Sequence, residues 1–159
     1  MAQGMDPNIR GEGGCTLVQY AVEFGKLDIV KGFVKRGISI TTTDDYSATA
    51  LHSCAKFGNI KIAEFLIAKG AQLEVQDKDM ATPLHWACQH SNAHVVKLLL
   101  EKGANYEAVA KYNSTPLHIA SRAGATDSVG LLIMKGADIE VVNSYKYAPL
   151  HISCMKGHT

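Results

Sequence analysis

Seven histidines, four cysteines and fifteen acidic residues in a chain of 159 invite a search for metal, nucleophilic or acid–base chemistry. His52, His85, His118 and His151 recur at intervals of 33 residues. Packed helical layers hold such a row about 10 Å apart, whereas the ligands of one zinc ion lie about 2 Å from it. His90 and His94 have the i, i+4 spacing of a helical zinc pair, with Cys88 beside them. Ser91-Asn92 breaks the helix between them, however, and no fourth or supporting ligand accompanies the set. No metal site is expected. Cys15, Cys54, Cys88 and Cys154 contain no CxxC pair and no adjacent base, so they read as small buried thiols. There is no GxSxG elbow and no phosphate loop, and Gly11-Glu12-Gly13-Gly14 reads as a flexible lead. Asp44-Asp45 and Asp77/Asp79 are paired carboxylates on expected loop tips, where water keeps their acidity ordinary. None of the roles that catalysis requires is filled, so neither a catalytic residue nor a cofactor is expected.

The interval that rules out a metal row organises the whole chain. Thr82-Pro83-Leu84-His85-Trp86-Ala87 recurs 33 residues later as Thr115-Pro116-Leu117-His118-Ile119-Ala120, and again as Ala148-Pro149-Leu150-His151-Ile152-Ser153. Stepping back gives Thr49-Ala50-Leu51-His52-Ser53-Cys54, then Thr16-Leu17-Val18-Gln19-Tyr20-Ala21. Gly37, Gly70, Gly103 and Gly136 keep the same register, each preceded by Lys or Arg. A fixed period of this length marks a stack of units, none of which can bury its apolar faces alone.

These residues resemble the ankyrin repeat, whose T-P-L-H-x-A signature and 33-residue period they match over residues 15–159. The resemblance implies an all-α repeat solenoid in which helix–turn–helix units are joined by β-hairpin fingers. About five units are expected, at 15–47, 48–80, 81–113, 114–146 and a partial 147–159. It also implies that the histidine row hydrogen-bonds locally at helix starts. Residues 1–14 are expected to form a flexible lead, with Met1–Gly4 vector-derived and Met5 the native start. No finger is expected before the first unit. The break at Gly157-His158 reads as the turn before a missing helix, hence a piece of a longer repeat protein.

The residues support that architecture by themselves. Thr82 can cap a helix whose first position, Pro83, needs no N–H donor. A second helix runs from Ala93 to about Lys102, apolar on most sides as wedged helices are. Lys102 then complements its dipole, and Gly103 supplies the left-handed residue that ends it. Leu73-Glu74-Val75 and Ile139-Glu140-Val141 alternate like short strands leading into fingers.

With 47% apolar and 19% charged residues the chain can fill a core, and disorder is excluded. A net charge of +1 offers no general basic field for nucleic acid, and no apolar run approaches a membrane span. The N-terminus lacks the apolar core of a signal peptide. The expected setting is cytoplasmic or nuclear, the expected state a monomer.

Binding is then expected where the units differ. Tyr46, Asp79, Tyr112 and Tyr145 precede the motif by three residues, and Tyr147 stands one residue before it, all on finger tips. Tyrosine suits exposed contact surfaces. Ser47, Met80, Asn113 and Lys146 occupy a finger position where the family usually has Gly, so strained or open tips are expected there. On the first helices the variable positions carry Lys56, Phe57, Trp86, Gln89, His90 and Arg122, which by resemblance face a concave surface. Trp86, flanked by Phe57 and Tyr112, is the expected anchor, with Lys56, Gln89 and Arg122 giving polar specificity. Some ankyrin domains are hydroxylated at an Asn in the arm entering the finger. This chain has Thr41, Glu74, Glu107 and Glu140 there, so no such modification is expected and the glutamates read as a solvated edge. The expected function is non-enzymatic recognition of a protein or peptide, as an adaptor or scaffold. Two alternatives are a docking segment of a larger enzyme or membrane protein and a structural spacer in a longer array.

Overall fold

The computed structural model describes residues 9–158; the expected native start at Met5 lies outside them. Five capped starts generate nine helices among the described residues: α1 (Leu17–Glu23), α2 (Leu27–Lys35), α3 (Ala50–Phe57), α4 (Ile60–Ala68), α5 (Pro83–Gln89), α6 (Ala93–Glu101), α7 (Pro116–Ala123), α8 (Thr126–Met134) and α9 (Pro149–Lys156). Odd-numbered helices form one layer, α1 on α3, α3 on α5, α5 on α7 and α7 on α9. The even-numbered helices α2, α4, α6 and α8 stack beside them as a second. In the first four units the pair is joined by a tight turn, left-handed at Gly25, Gly58 and Gly124 and, at a non-glycine, Ser91 (φ 56°); Gly157 is left-handed in the same register after α9.

The core repeats with the sequence. Val18, Leu51, Leu84 and Leu117 are buried to 2% exposure or less in the odd layer, and Leu66, Leu99 and Leu132 are fully buried in the even one. Apolar burial at about 25 cal/mol per Å² is the main stabilising term, and each unit obtains it from its neighbours. Leu150 shows what a missing neighbour costs: in the same register on α9, against which only α7 packs substantially, it is 71% exposed.

Side-chain ties repeat too. Asn59 Nδ2 donates to Val22 O (2.6 Å), and Asn92 Nδ2 to Ala55 O (2.7 Å) and Lys56 O (2.9 Å). Asn92 satisfies carbonyls that the end of α3 leaves free, and Asn59 adds a second donor to Val22 O, which also accepts from Gly25 N–H (2.8 Å).

Three expectations need correction. No strand forms among the described residues, only isolated bridges at Arg10–Thr16 and Ala110–Ser114. Each finger closes through a single tight turn, as in Asp44 N–H to Ala48 O (3.0 Å), and its arms find no ladder of partners. Second, a finger does precede the first unit. Gly11 N–H donates to Cys15 O (2.9 Å), the bond that Asp44, Asp77, Ala110 and Asn143 make in the same register. Third, not every thiol is buried. Cys54 and Cys88 are, Cys15 is half-buried, and Cys154 is exposed because, among the described residues, no second helix packs against α9.

Candidate partner-binding groove

The groove has a floor, the exposed ends of the odd-numbered helices, and a wall, the fingers. The wall is held by backbone. Asp45 N–H donates to Gly13 O (3.0 Å), Lys78 to Tyr46 O (3.0 Å), Lys111 to Asp79 O (2.9 Å) and Ser144 to Tyr112 O (2.8 Å). Each finger is thus tied to the one before it, and the tips Tyr46, Asp79, Tyr112 and Tyr145 stand in one row.

Within each finger an acceptor side chain locks the turn. Asp44 Oδ1 accepts from Tyr46 N and Ala48 N (both 2.9 Å), and Asp77 Oδ1 from Asp79 N (2.8 Å) and Ala81 N (2.9 Å). Asn143 Oδ1 repeats the pattern with Tyr145 N (2.9 Å) and Tyr147 N (3.1 Å). These are Asx turns, and each contains one left-handed residue: Ser47 (φ 63°), Met80 (59°) or Lys146 (64°). The fingers with Gly11 and Ala110 have no such acceptor. They close instead through two consecutive left-handed residues, Gly13 and Gly14 or Tyr112 and Asn113. The tips are therefore strained, as the residue types at Met80 and Lys146 suggested, but they are closed rather than open.

Floor and wall are joined by the histidine row. His52 Nδ1 accepts from Thr49 N–H (3.1 Å), while its Nε2–H donates to Ala81 O (3.1 Å) at the base of the next finger. His85 does the same with Thr82 N (3.2 Å) and Ser114 O (3.1 Å), and His118 with Thr115 N (3.2 Å) and Tyr147 O (3.0 Å). Both ring nitrogens are thereby committed. In the first unit Gln19 replaces histidine: Oε1 accepts from Thr16 N (2.9 Å), and Nε2 reaches Ala48 O (3.0 Å) and Asp44 Oδ2 (2.9 Å). Burial pushes the basicity of His52, His85 and His118 down, that of His85 to about 4, outweighing the carbonyl bonds that favour the charged ring. Burial likewise pushes the Cys54 and Cys88 thiols up, away from the reactive thiolate.

Trp86 lies half-buried where floor meets wall. Its Nε1–H donates to Asp77 Oδ2 (2.7 Å), so the carboxylate that locks the finger also orients the indole. Its ring neighbours are His52, edge-on with centroids 5.3 Å apart, and His90 at 6.4 Å. The expected flanking by Phe57 and Tyr112 is not what forms: Tyr112 packs on Tyr145 (5.2 Å), and Phe57 lies under the Lys56 ammonium (5.0 Å). The structure gathers Lys56, Asp79, Trp86, Gln89 and His90, with Asp77 and Ala81, around one concavity of about 270 Å³. Tyr46, Tyr112, Tyr145 and Tyr147 are exposed along the wall, Tyr147 with its ring 6.5 Å from that of His151. Arg122 is exposed on α7, outside that concavity. Asp79 and Lys111 form an exposed ion pair at 3.0 Å.

Sequence reasoning treated Asp77 as a solvated tip carboxylate, although Asp44, Asp77 and Asn143 in one register signal turn locking. The glutamate row is also more than a solvated edge. Glu74 Oε1 accepts from Asn105 N (2.9 Å) and Glu107 Oε1 from Asp138 N (2.8 Å), tying successive arms. A larger, mainly apolar cavity of about 340 Å³ lies away from these residues, among Leu117, Val129, Ile133, Ile139 and Leu150.

Among the described residues no helix is long and apolar enough to cross a membrane. A family model described as ankyrin repeats, in three copies, matches residues 1–77 and 69–143. No curated protein matches the chain.

Proposed function

The chain belongs to the ankyrin-repeat family, and from that premise we infer that it is a non-enzymatic adaptor that takes a protein or peptide in the groove between its fingers and odd-numbered helices. Ankyrin repeats are in general protein–protein interaction modules. The observation that carries the assignment to this groove is Trp86, half-exposed in a walled concavity and oriented by a bond to Asp77. An aromatic ring whose rotamer is already fixed loses little entropy on binding, which is the property of an interface anchor. Tyr112 stacked on Tyr145 extends a preorganised aromatic surface along the wall. The mechanism is rigid display, since floor and wall are cross-tied from the first unit to the fourth.

The test is affinity capture by the wild type beside Trp86→Phe/Tyr112→Ala/Arg122→Ala, matched for thermal midpoint. A protein retained by the wild type and lost by the variant places binding in the groove. Equal retention by both would sink this reading and favour the spacer role.

A further inference from the structure

Charge is unevenly distributed along the groove of this nearly neutral chain. At its first end the exposed finger and α1 residues include Glu12, Glu23 and Asp45 against Arg10. From α3 onward the exposed charged residues at the helix ends and finger tips are the cations Lys56, Lys78, Lys111, Arg122, Lys146 and Lys156 against the single acid Asp79. The acids do not offset them there: Asp79 is paired with Lys111 at 3.0 Å, cancelling that one cation, and the half-buried Asp77, bonded to the Trp86 indole and within its own turn, leaves one charge against the other five. Two of the cations are seated on aromatic faces, Lys56 over Phe57 at 5.0 Å and Lys111 over Tyr112 at 5.5 Å. Cationic and aromatic contacts therefore alternate along the same surface.

Resting on the groove reading above, we propose that the occupant is an extended acidic segment of a partner protein, whose carboxylates lie over the second to fifth units, with an aromatic or apolar residue in the Trp86 concavity. Its neutral or basic end lies toward Glu23 and Asp45, so the charge gradient sets the direction of binding. Four unit steps of about 10 Å make a track of roughly 40 Å. At about 3.3 Å per extended residue, some twelve residues fill it. Charge complementarity of this exposed kind acts mainly on encounter and selectivity, and salt screens it.

The probe is a displayed library of random twelve-residue peptides, selected on the folded protein and followed by anisotropy of the enriched sequences. The expected result is enrichment of Asp and Glu together with an aromatic residue, and binding that weakens at least tenfold between 50 and 500 mM salt, a range that shortens the screening length several-fold. Lys56→Glu/Arg122→Glu should weaken binding at least tenfold. Lys61→Glu/Lys97→Glu, the same charge change on the even-numbered helices, should alter it less than twofold. If the groove reversal impairs folding, Lys56→Gln/Arg122→Gln provides the same comparison with a smaller loss. Enrichment of neutral or basic peptides that Trp86→Phe still weakens would overturn the acidic occupant and leave the groove reading standing. Peptides indifferent to both the reversal and Trp86→Phe would overturn the two together. Tighter binding of a twelve-nucleotide single-stranded RNA than of any peptide would overturn the acidic segment, as would failure to enrich any peptide.

Discussion

At the scale of single residues, most of the chain's irregularity is concentrated in finger turns. Met80 at φ 59° and Lys146 at φ 64° carry side chains in a backbone region where the Cβ crowds the following carbonyl. The compensation is local: Asp77 Oδ1 and Asn143 Oδ1 each accept two backbone N–H groups across the turn. Met80→Gly should therefore stabilise the fold by about 0.5–1 kcal/mol, the left-handed strain relieved less the extra freedom glycine has when unfolded. Asn113→Gly, at a residue type that tolerates φ 53°, should gain less. Urea midpoints of the two variants check this ranking. A Met80→Gly protein less stable than its parent would show that the exposed methionine side chain packs favourably in the turn.

At the scale of the helices, α8 carries a fault that α4 and α6 lack. Where α4 and α6 bury Ile62 and Val95, α8 buries Ser128, whose Oγ finds no hydrogen-bond partner. Two residues on, Gly130 lies in mid-helix, and a methyl group built there meets nothing within 4 Å. Gly130→Ala should stabilise by about 1 kcal/mol from helix propensity alone. The gain should appear as slower amide exchange in α8 and α9 with little change in α3; unchanged exchange in α8 would refute it. Much of this level was legible in the sequence, because capping, period and terminal glycine are local signals: α5 begins at Pro83 after Thr82, and α6 ends one residue before Lys102. The fingers were not fully legible. A short alternating run such as Leu73-Glu74-Val75 looks like a strand by pattern, yet a strand needs a partner, and the backbone bonds of that finger are its own turn (Asp77 N–H to Ala81 O) and a tie to the previous tip (Lys78 N–H to Tyr46 O). The surroundings of Trp86 were illegible for the same reason. Its contacts with His52 and Asp77 come from packing one unit against the next, which no local pattern encodes.

At the scale of the whole molecule, the histidine row makes the stack sensitive to acid. Each of His52, His85 and His118 joins the start of its own helix to the base of the next finger, and does so as a neutral ring that accepts at Nδ1 and donates at Nε2. A proton on Nδ1 would break the bond from the threonine backbone and place a charge among buried groups. All three have a folded pKa below the unfolded value near 6.5, chiefly through burial, and His85 falls to about 4. Below 6.5 the unfolded chain therefore binds more protons than the folded one, so acid favours unfolding. This contribution to stability is present in full above pH 6.5. It declines as pH falls through the window from about 6.5 to about 4, and for His85 it stops changing below that. Urea midpoints measured from pH 8 to pH 4 should be level at first and then drop. The His85 ring resonances should begin to titrate only near pH 4, while unfolding is still incomplete in stabilising salt. A midpoint unchanged down to pH 4.5, or a His85 ring that titrates near 6.5, would show that the row is solvated and does not bind the units together. The same bonds fix the finger bases against the helices, so loss of the neutral row should also loosen the groove. Trp86 fluorescence should accordingly change within this pH window before the far-ultraviolet helical signal is lost.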